Sequence, residues 1–424
     1  MAFRFLHLAD VHLETTFGGR ETTRERLRRA TLEAFERAVD YALSQELHAV
    51  LVAGDLYDDA LLSLKTELAL VREVHRLGEA GIWFFHACGN HDPGGPNWRA
   101  AGMGLDAGAQ RPGALAGAPR ARVFRDATPA EVVVHDRSGE PVGVVVGAGH
   151  ASPSEGVNLA AALPRRSGPL PAVALLHTHV ESAEAAAVHD RYAPSSAADY
   201  RREDYAYFAL GHIHVRQRAV EGRPAFYPGN LQGRHAKETG EKGGLVVEAE
   251  AGAPAEPEFV RFAPVRWVQA SVSELPDESS SAALVERLAR SIQQLRASAG
   301  EEIAVRLELR GRSPLARLLR SPEQLVGIAD ELRDRSGALE VELRTQGVRL
   351  PIDRDALRSS PTPLAEVLAL IERVSRDAPL LESVAPAELA HDCAPGSERS
   401  AYLRELLAGA PEEAVLRFLD EEDA

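Results

Sequence analysis

An α/β protein is what this 424-residue sequence predicts, on three observations. Short apolar runs alternate with amphipathic segments through residues 1–262. Several runs are apolar throughout, as strands buried on both faces are. Asp, Asn and His follow one run after another, and open α/β sheets gather ligands beyond the carboxyl ends of their strands.

The strand readings, in order, are "FRFLHLA", "HAVLVAG", "IWFFHACG", "EVVVHD", "VGVVVGAG", "PAVALLH" and "AYFALG". Between the first two, Arg24 to Leu47 carries Leu27, Leu32, Phe35, Val39 and Leu43 near helical spacing. Leu61 to Leu77 repeats the pattern with Leu64, Leu68, Val71 and Val74. Arg99 to Pro119, rich in Gly, Ala and Pro, reads as a long loop near the polar strand ends. His7, His75 and His86 lie inside strand or helix patterns and read as structural.

Composition changes after "EAEAGAPAEPE". From there a small α+β unit is expected. "EIAVRLELR" alternates Ile303, Val305, Leu307 and Leu309 with residues of a solvated face, and "LEVELR" repeats this with Leu339, Val341 and Leu343. A helix is expected over Ala282 to Ala297, and another in "SPEQL", with Ser321 as N-cap and Pro322 at the first helical position. Thr362 and Pro363 repeat that signal before "LAEVLALIERV". The end, "DEEDA", reads as a frayed acidic tail. The expected domains are 1–262, 263–350 and a helical region, 351–424.

The formal net charge is −15. That excludes a chain that coats nucleic acid by bulk charge, but not a nuclease, because bound cations can attract phosphate against the global sign. Two cysteines, Cys88 and Cys393, give no disulfide framework and no thiolate metal site. No basic-then-apolar leader opens the sequence and no run is long enough to span a membrane, so a cytoplasmic protein is expected.

The chemistry lies in the polar residues after the strands. "FLHLA" is followed by Asp10 and His12, "VLVAG" by Asp55, and "FFHACG" by Asn90, His91 and Asp92. His177 and His179 come at the end of "VALLH", and His212 and His214 follow "YFALG". A lone strand-end Asp is usually a cap or turn residue. Five strand ends in succession make a metal-site constellation. Carboxylate, amide oxygen and imidazole without thiolate suit Mn, Fe, Zn or Mg. The groups exceed what one tetrahedral ion uses and match two ions sharing a carboxylate, an arrangement that serves phosphoester cleavage.

In this order Asp10-Val11-His12, Gly54-Asp55, Gly89-Asn90-His91-Asp92, His177 and Gly211-His212-Ile213-His214 resemble the motifs of the calcineurin-like metallophosphoesterases. Within them the chain is most similar to the SbcD-type DNA repair exonucleases, the nuclease subunits of double-strand-break repair complexes. "HDRYAPSS" and "YPGNLQGRHAKETGEKGG", which flank the last motif, carry that finer likeness. The resemblance implies a four-layer core, a β-sandwich flanked by helices, with an α+β capping domain and C-terminal helices. It implies two divalent ions, Mn²⁺ foremost. Asp10, His12, Asp55 and His214 would hold one, and Asp55, Asn90, His177 and His212 the other, with Asp55 bridging. His91 would face the scissile phosphate and stabilise the transition state or protonate the leaving oxygen, with Asp92 behind the ligands. DNA as substrate, a coiled-coil ATPase partner docked by the C-terminal helices, and a homodimer are further implications.

One position departs from the pattern. Some relatives carry a His three residues after the bridging Asp and use it near the substrate. Here that position is Asp58, which cannot play that part when ionised. Its role stays open, a helix N-cap before a helix starting near Leu61 being the plain alternative. That leaves the balance of exo- and endonuclease action open. Arg234, His235 and Lys237, after the last motif, are expected at the substrate. Arg20, Arg24, Arg26, Arg28 and Arg29 alternate with Glu21, Glu25 and Glu33 and read as a solvated face. His179 is left without an assigned role: a support behind the ligands, a substrate contact, or a plain loop residue. Two rival readings also stand: a small-molecule phosphodiesterase or phosphatase of the same superfamily, and a non-catalytic scaffold.

Overall fold

The computed structural model describes residues 2–422 except 59–61, 96–104, 106–119, 184–189, 274, 276–279, 352–356, 358–360 and 386–396. The loop expected over 99–119 therefore lies, apart from Leu105, outside the described residues. The chain divides into two compact units, residues 1–268 with 299–304, and residues 269–298 with 305–424.

In the first unit the strands are β1 (Phe3–Leu8), β2 (Ala49–Val52), β3 (Trp83–Ala87), β4 (Ala121–Phe124), β5 (Ala130–His135), β6 (Pro141–Ala148), β7 (Ala172–His177), β8 (Tyr207–Gly211), β9 (Gln217–Arg218), β10 (Ala225–Tyr227), β11 (Gly243–Ala249) and β12 (Glu258–Arg261). They form two six-stranded sheets, in the orders β12-β11-β1-β2-β3-β4 and β5-β6-β7-β8-β10-β9. β1 to β4 run parallel, as do β6, β7, β8 and β10. The seven strands read from sequence are all present. β4 and β9 to β12 are additions. They are short or carry Gly and charged residues, so pairing rather than local propensity makes them strands.

Side-chain alternation builds the layers. Along β1, Phe3 and Phe5 enter the core between the sheets with Leu51, Phe85, Val173, Leu175 and Tyr207. Leu6 and Leu8 face the other way and pack with Leu70, Val74, Phe35 and Val39 from α1 (Glu21–Ser44) and α2 (Leu64–Glu79). Beyond the second sheet, Ala174, Leu176, Phe208 and Leu210 pack with Leu159, Tyr200 and Tyr227. The result is a mixed α/β fold, two large sheets face to face with helices outside, as the sequence predicts.

α2 starts at Leu64, capped by Ser63, whose side chain accepts from Thr66 N. Asp58 is therefore not its N-cap; both its neighbours and its role lie elsewhere. On α1 the arginines are partly ion-paired: Arg24 with Glu21 at 2.7 Å, Arg26 with Glu302 at 2.8 Å and Glu33 at 3.5 Å. That fits the solvated face expected.

A three-stranded sheet in the order β13-β14-β15, from β13 (Val265–Val272), β14 (Glu302–Arg312) and β15 (Glu340–Arg349), falls mostly in the second unit. On β14, Ile303, Val305, Leu307 and Leu309 are buried and Arg306, Glu308 and Arg310 are not, as expected; Ala304, expected on the solvated face, is buried as well. Helices run over Ser281–Ala299 and Pro322–Ser336. Ser321 accepts from Gln324 N, and Thr362 from Ala365 N before the helix Pro363–Arg376, so both caps form. The last helix, Ala410–Glu422, runs into the acidic end that the sequence reading gives to a frayed tail. Once a helix is nucleated, each added residue costs little. No described helix is long and apolar enough to cross a membrane.

Candidate metal centre

The five motifs leave the carboxyl ends of β1, β2, β3, β7 and β8. All five belong to parallel runs, so their ends share one edge of each sheet. The edges meet closely. A Cβ on Gly54 would fall 2.1 Å from His177 Nδ1, and one on Gly211 would fall 1.7 Å from Ala53 O. Glycine at each position lets one sheet's loops reach the other's. The chain then turns sharply: Asp10, His12, Asp55 and His212 all have positive φ. Such backbone is costly for L-residues and is kept where the surroundings enforce it. Asp10 N donates to Gly54 O at 3.1 Å and His12 N to Asp55 O at 2.9 Å.

Four imidazoles have their tautomers fixed by acceptors. His12 Nδ1 donates to Asp58 Oδ1 at 3.0 Å, His177 Nδ1 to Ala53 O at 2.9 Å, and His214 Nδ1 to Glu238 Oε1 at 2.8 Å. His212 Nε2 donates to Asp190 O at 2.7 Å, so a cation would be met by Nδ1. The other nitrogens of the first three carry lone pairs, and these face acceptors. His12 Nε2 and His214 Nε2 are 3.4 Å apart. His177 Nε2 lies 3.0 Å from Asn90 Oδ1. Asp55 Oδ2 stands 3.7 Å from His12 Nε2 and 3.6 Å from His177 Nε2, while Asp55 Oδ1 accepts from His91 N at 2.9 Å. His214 Nε2 is 3.8 Å from Asp10 Oδ1.

Lone pairs facing lone pairs repel unless a cation lies between them. Asp10–His12–His214 and Asp10–Asp55–His177 each bring ligand atoms within 4.8 Å of one another. The donor set is all oxygen and imidazole nitrogen, suited to hard or borderline divalent ions. Burial and the Asp55 charge push the Asp10 carboxyl well above its usual range. Burial drives the His177 imidazole well below its usual range and that of His214 down to about 3, so both are neutral and able to ligate. The site fits divalent metal; Asp10 belongs to both groups, and Asp55 Oδ2 stands between His12 and His177.

Around this set the remaining residues fall in place. Asp92 acts through the backbone: its oxygens accept from Leu56 N and Gly89 N, both at 2.7 Å, tying together the loops of Asp55 and Asn90. His86 lies 3.1 Å from Asp92 and so supports the same tie. His91, 44% exposed, bonds through Nδ1 to Asp58 Oδ1 at 3.0 Å. That bond, opposed by burial, raises the imidazole to about 9. Burial alone would raise the Asp58 carboxyl, but the bonds from His12 and His91 hold it well below the carboxylate range. Asp58 thus joins His12 to His91 at the mouth of the site. His179 stands apart from the ligand set. Its backbone pairs with Tyr192 and Ser195, and its ring is 5.8 Å from that of His212.

Arg234 Nη2 lies 2.9 Å from His214 Nδ1 and donates to Glu238, so it borders the site as expected. Lys237 and His235 line the same cavity, of about 790 Å³, with His91, His212 and His214. Glu238 is the residue the sequence reading missed. It accepts from His214 Nδ1, from Arg234 N at 2.7 Å and from Asn230 Nδ2 at 2.7 Å. Its signal was a carboxylate four residues after Arg234 in the loop following the last motif. Lys242 was also missed. It donates to His214 O at 3.0 Å, and burial lowers its ammonium to about 8. His150, at the end of β6, donates to His177 O at 2.8 Å and packs its ring against His177.

The sequence signature described as calcineurin-like phosphoesterase matches residues 3–216. YhaO of Bacillus subtilis (strain 168), named an uncharacterized metallophosphoesterase, is 32% identical over 344 residues, 80% of this chain and 78% of that one. The DNA double-strand break repair protein Mre11 of Methanopyrus kandleri is 26% identical over 311 residues, 68% of this chain and 62% of that one. Mre11 of Aeropyrum pernix is 40% identical over 89 residues, 21% of each chain.

Proposed function

The chain belongs to the calcineurin-like phosphoesterase family, and from that premise we propose that it is a dinuclear-metal DNA nuclease of the SbcD type, acting in DNA repair. The observation that carries the metal-dependent hydrolysis is the ring of imidazole lone pairs around Asp10 and Asp55 with protonated His91 beside it. DNA as the substrate is supported by the likeness to proteins named for double-strand break repair and by the sequence flanking the last motif.

Asp10, His12, Asp55 and His214 would hold one ion, and Asp55, Asn90, His177 and His212 the second, with Mn²⁺ the preferred metal. When bound, such ions lower the pKa of water to about 7 and neutralise charge on the phosphoryl oxygens. The protein's own part is positional. Asp58, Glu238, Asp190 and the Ala53 carbonyl hold the four ligand imidazoles in one tautomer each. His91, kept protonated by Asp58, is held to donate its proton to the leaving oxygen. Asp92 and His150 fix the loops that carry Asp55, Asn90 and His177.

The test is hydrolysis of single-stranded, duplex and hairpin DNA with Mn²⁺, beside bis(4-nitrophenyl) phosphate. His91→Ala is expected to lose about 10²–10⁴-fold in kcat as general acids do, and Asp55→Asn to lose activity together with bound metal. Wild-type rates in both variants would overturn the assignment. A small-molecule phosphodiesterase of the same family is the second reading, because the matching signature is that of a phosphoesterase and does not choose the substrate. Turnover of the small diester with none on DNA would establish it. A coiled-coil ATPase docked by the helices over Pro363–Glu422 is proposed as the partner, and capture of that ATPase by a chain truncated after Pro351 would remove the idea.

A further inference from the structure

The chain carries a net charge of −15, yet one wall of the cavity at His91 and His214 is cationic. Arg216, Arg234, Lys237 and Lys242 line it. The carboxylates on that wall are already engaged. Glu238 is taken by His214, Arg234 and Asn230, and Glu241 by Arg266 at 3.2 Å. Among the described residues no carboxylate pairs with Arg216 or Lys237, and both are exposed. The Arg216 guanidinium carbon lies over the Phe259 ring, 3.7 Å from its centroid, a cation–π contact that helps to hold the charge in place.

Cations beside a dication site repel the metals unless an anion comes between. One scissile phosphodiester carries a single charge, which the metals and His91 already offset. Arg234 is offset by Glu238, but Arg216, Lys237 and Lys242, with no carboxylate partner among the described residues, exceed that need. We propose that Arg216, Arg234, Lys237 and Lys242 form a subsite for a phosphate neighbouring the scissile one, so that the substrate is a nucleic-acid strand held along its backbone. The proposal rests on the nuclease reading above and adds to it the residues that distinguish a strand from a lone phosphoester. Lys242 donates to the His214 carbonyl and Arg234 pairs with Glu238 beside it, so they place the inner end of the subsite next to a metal ligand. Arg216 and Lys237 form its outer end.

The experiment compares wild type with Arg216→Ala/Lys237→Ala, two exposed positions whose loss leaves the core intact. A fluorescein-labelled single-stranded oligonucleotide with phosphorothioate linkages is titrated by anisotropy over a salt series. Cleavage of the natural oligonucleotide and of bis(4-nitrophenyl) phosphate is measured in parallel. Expected are binding at least tenfold weaker and a slope of log K against log salt reduced by about 0.7, the share of one phosphate on a single strand. The loss in kcat/KM on the oligonucleotide should exceed that on the small diester by at least fivefold. An unaltered salt slope in the variant, with DNA still cleaved by wild type, overturns the subsite alone. Equal losses on both substrates do the same. Wild type that cleaves the small diester but neither binds nor cleaves the oligonucleotide overturns the nuclease reading, and the subsite with it.

Discussion

Carboxylates that touch no metal decide how the histidines of this site behave. Glu238 is the clearest case. It is buried, accepts the Nδ1 proton of His214 and anchors the loop at Asn230 and Arg234. Glu238→Gln keeps the size but loses the charge that favours the ligating tautomer. A loss of about 10–100-fold in metal affinity is expected, as for other groups behind a ligand histidine; metal titration checks it, and a wild-type affinity would dismiss the role. Away from the site, Asp204 shows the same logic in stability. The hydrogen bond from Arg202 holds its carboxyl at about 2. A folded-state pKa below the unfolded one gives stability that is present above about pH 4 and is lost as the pH falls through about 2. The pair is partly solvated, so about 1 kcal/mol is expected after screening. Asp204→Asn should lower the melting temperature at pH 7 and leave it near wild type at pH 2.

At the scale of elements, the strand-end turns carry the site. Gly54 shows what such a turn demands. Its φ is +86°, and any Cβ would press on His177 Nδ1. Gly54→Ala combines backbone strain with a displaced ligand, and about 2–5 kcal/mol of destabilisation is expected. Thermal melts and metal analysis test this together; a variant that keeps both its melting temperature and its metal would show that the turn tolerates a side chain. Strands buried on both faces were legible because their apolar runs admit little else, and Asp10, Asp55, Asn90 and His177 were legible because they stand where those runs stop. β4 and β9 to β12 were not, since two to seven residues, in all but β10 with Gly or charge among them, are strands only when a neighbour pairs with them. Asp58 illustrates the opposite error. Its place before a helix suggested a cap, but Ser63 holds that position, and Asp58 turns to His12 and His91 instead.

For the whole molecule, metal and fold are linked. Lone pairs and two carboxylates confront one another at the meeting edge of the two sheets, so bound ions should stabilise the first unit. At one hundred times the dissociation constant the gain is about 2.7 kcal/mol, and a melting temperature raised by roughly 5–10 °C is expected. Mn²⁺ titration followed by a chelator in a thermal melt checks this; a melting temperature indifferent to both would count against a site in this cleft. The sequence by itself determined the α/β class, the strands that matter and the ligand types, because hydrophobic periodicity and the residues that interrupt it are local properties of the chain. It separated His177 from His179 in "LLHTHV" through the family resemblance, left His179 without a role, and gave Glu238 and Lys242 no distinction from a solvated loop. Only the tertiary structure shows which groups these side chains and backbones meet. His177 meets Asp55 and Asn90 across two sheets, His179 turns to Tyr192 and Ser195, and Glu238 reaches His214 from 24 residues away. The physical reason is that a lone pair's partner, unlike a strand's apolar face, is set by which distant backbone the sandwich brings beside it.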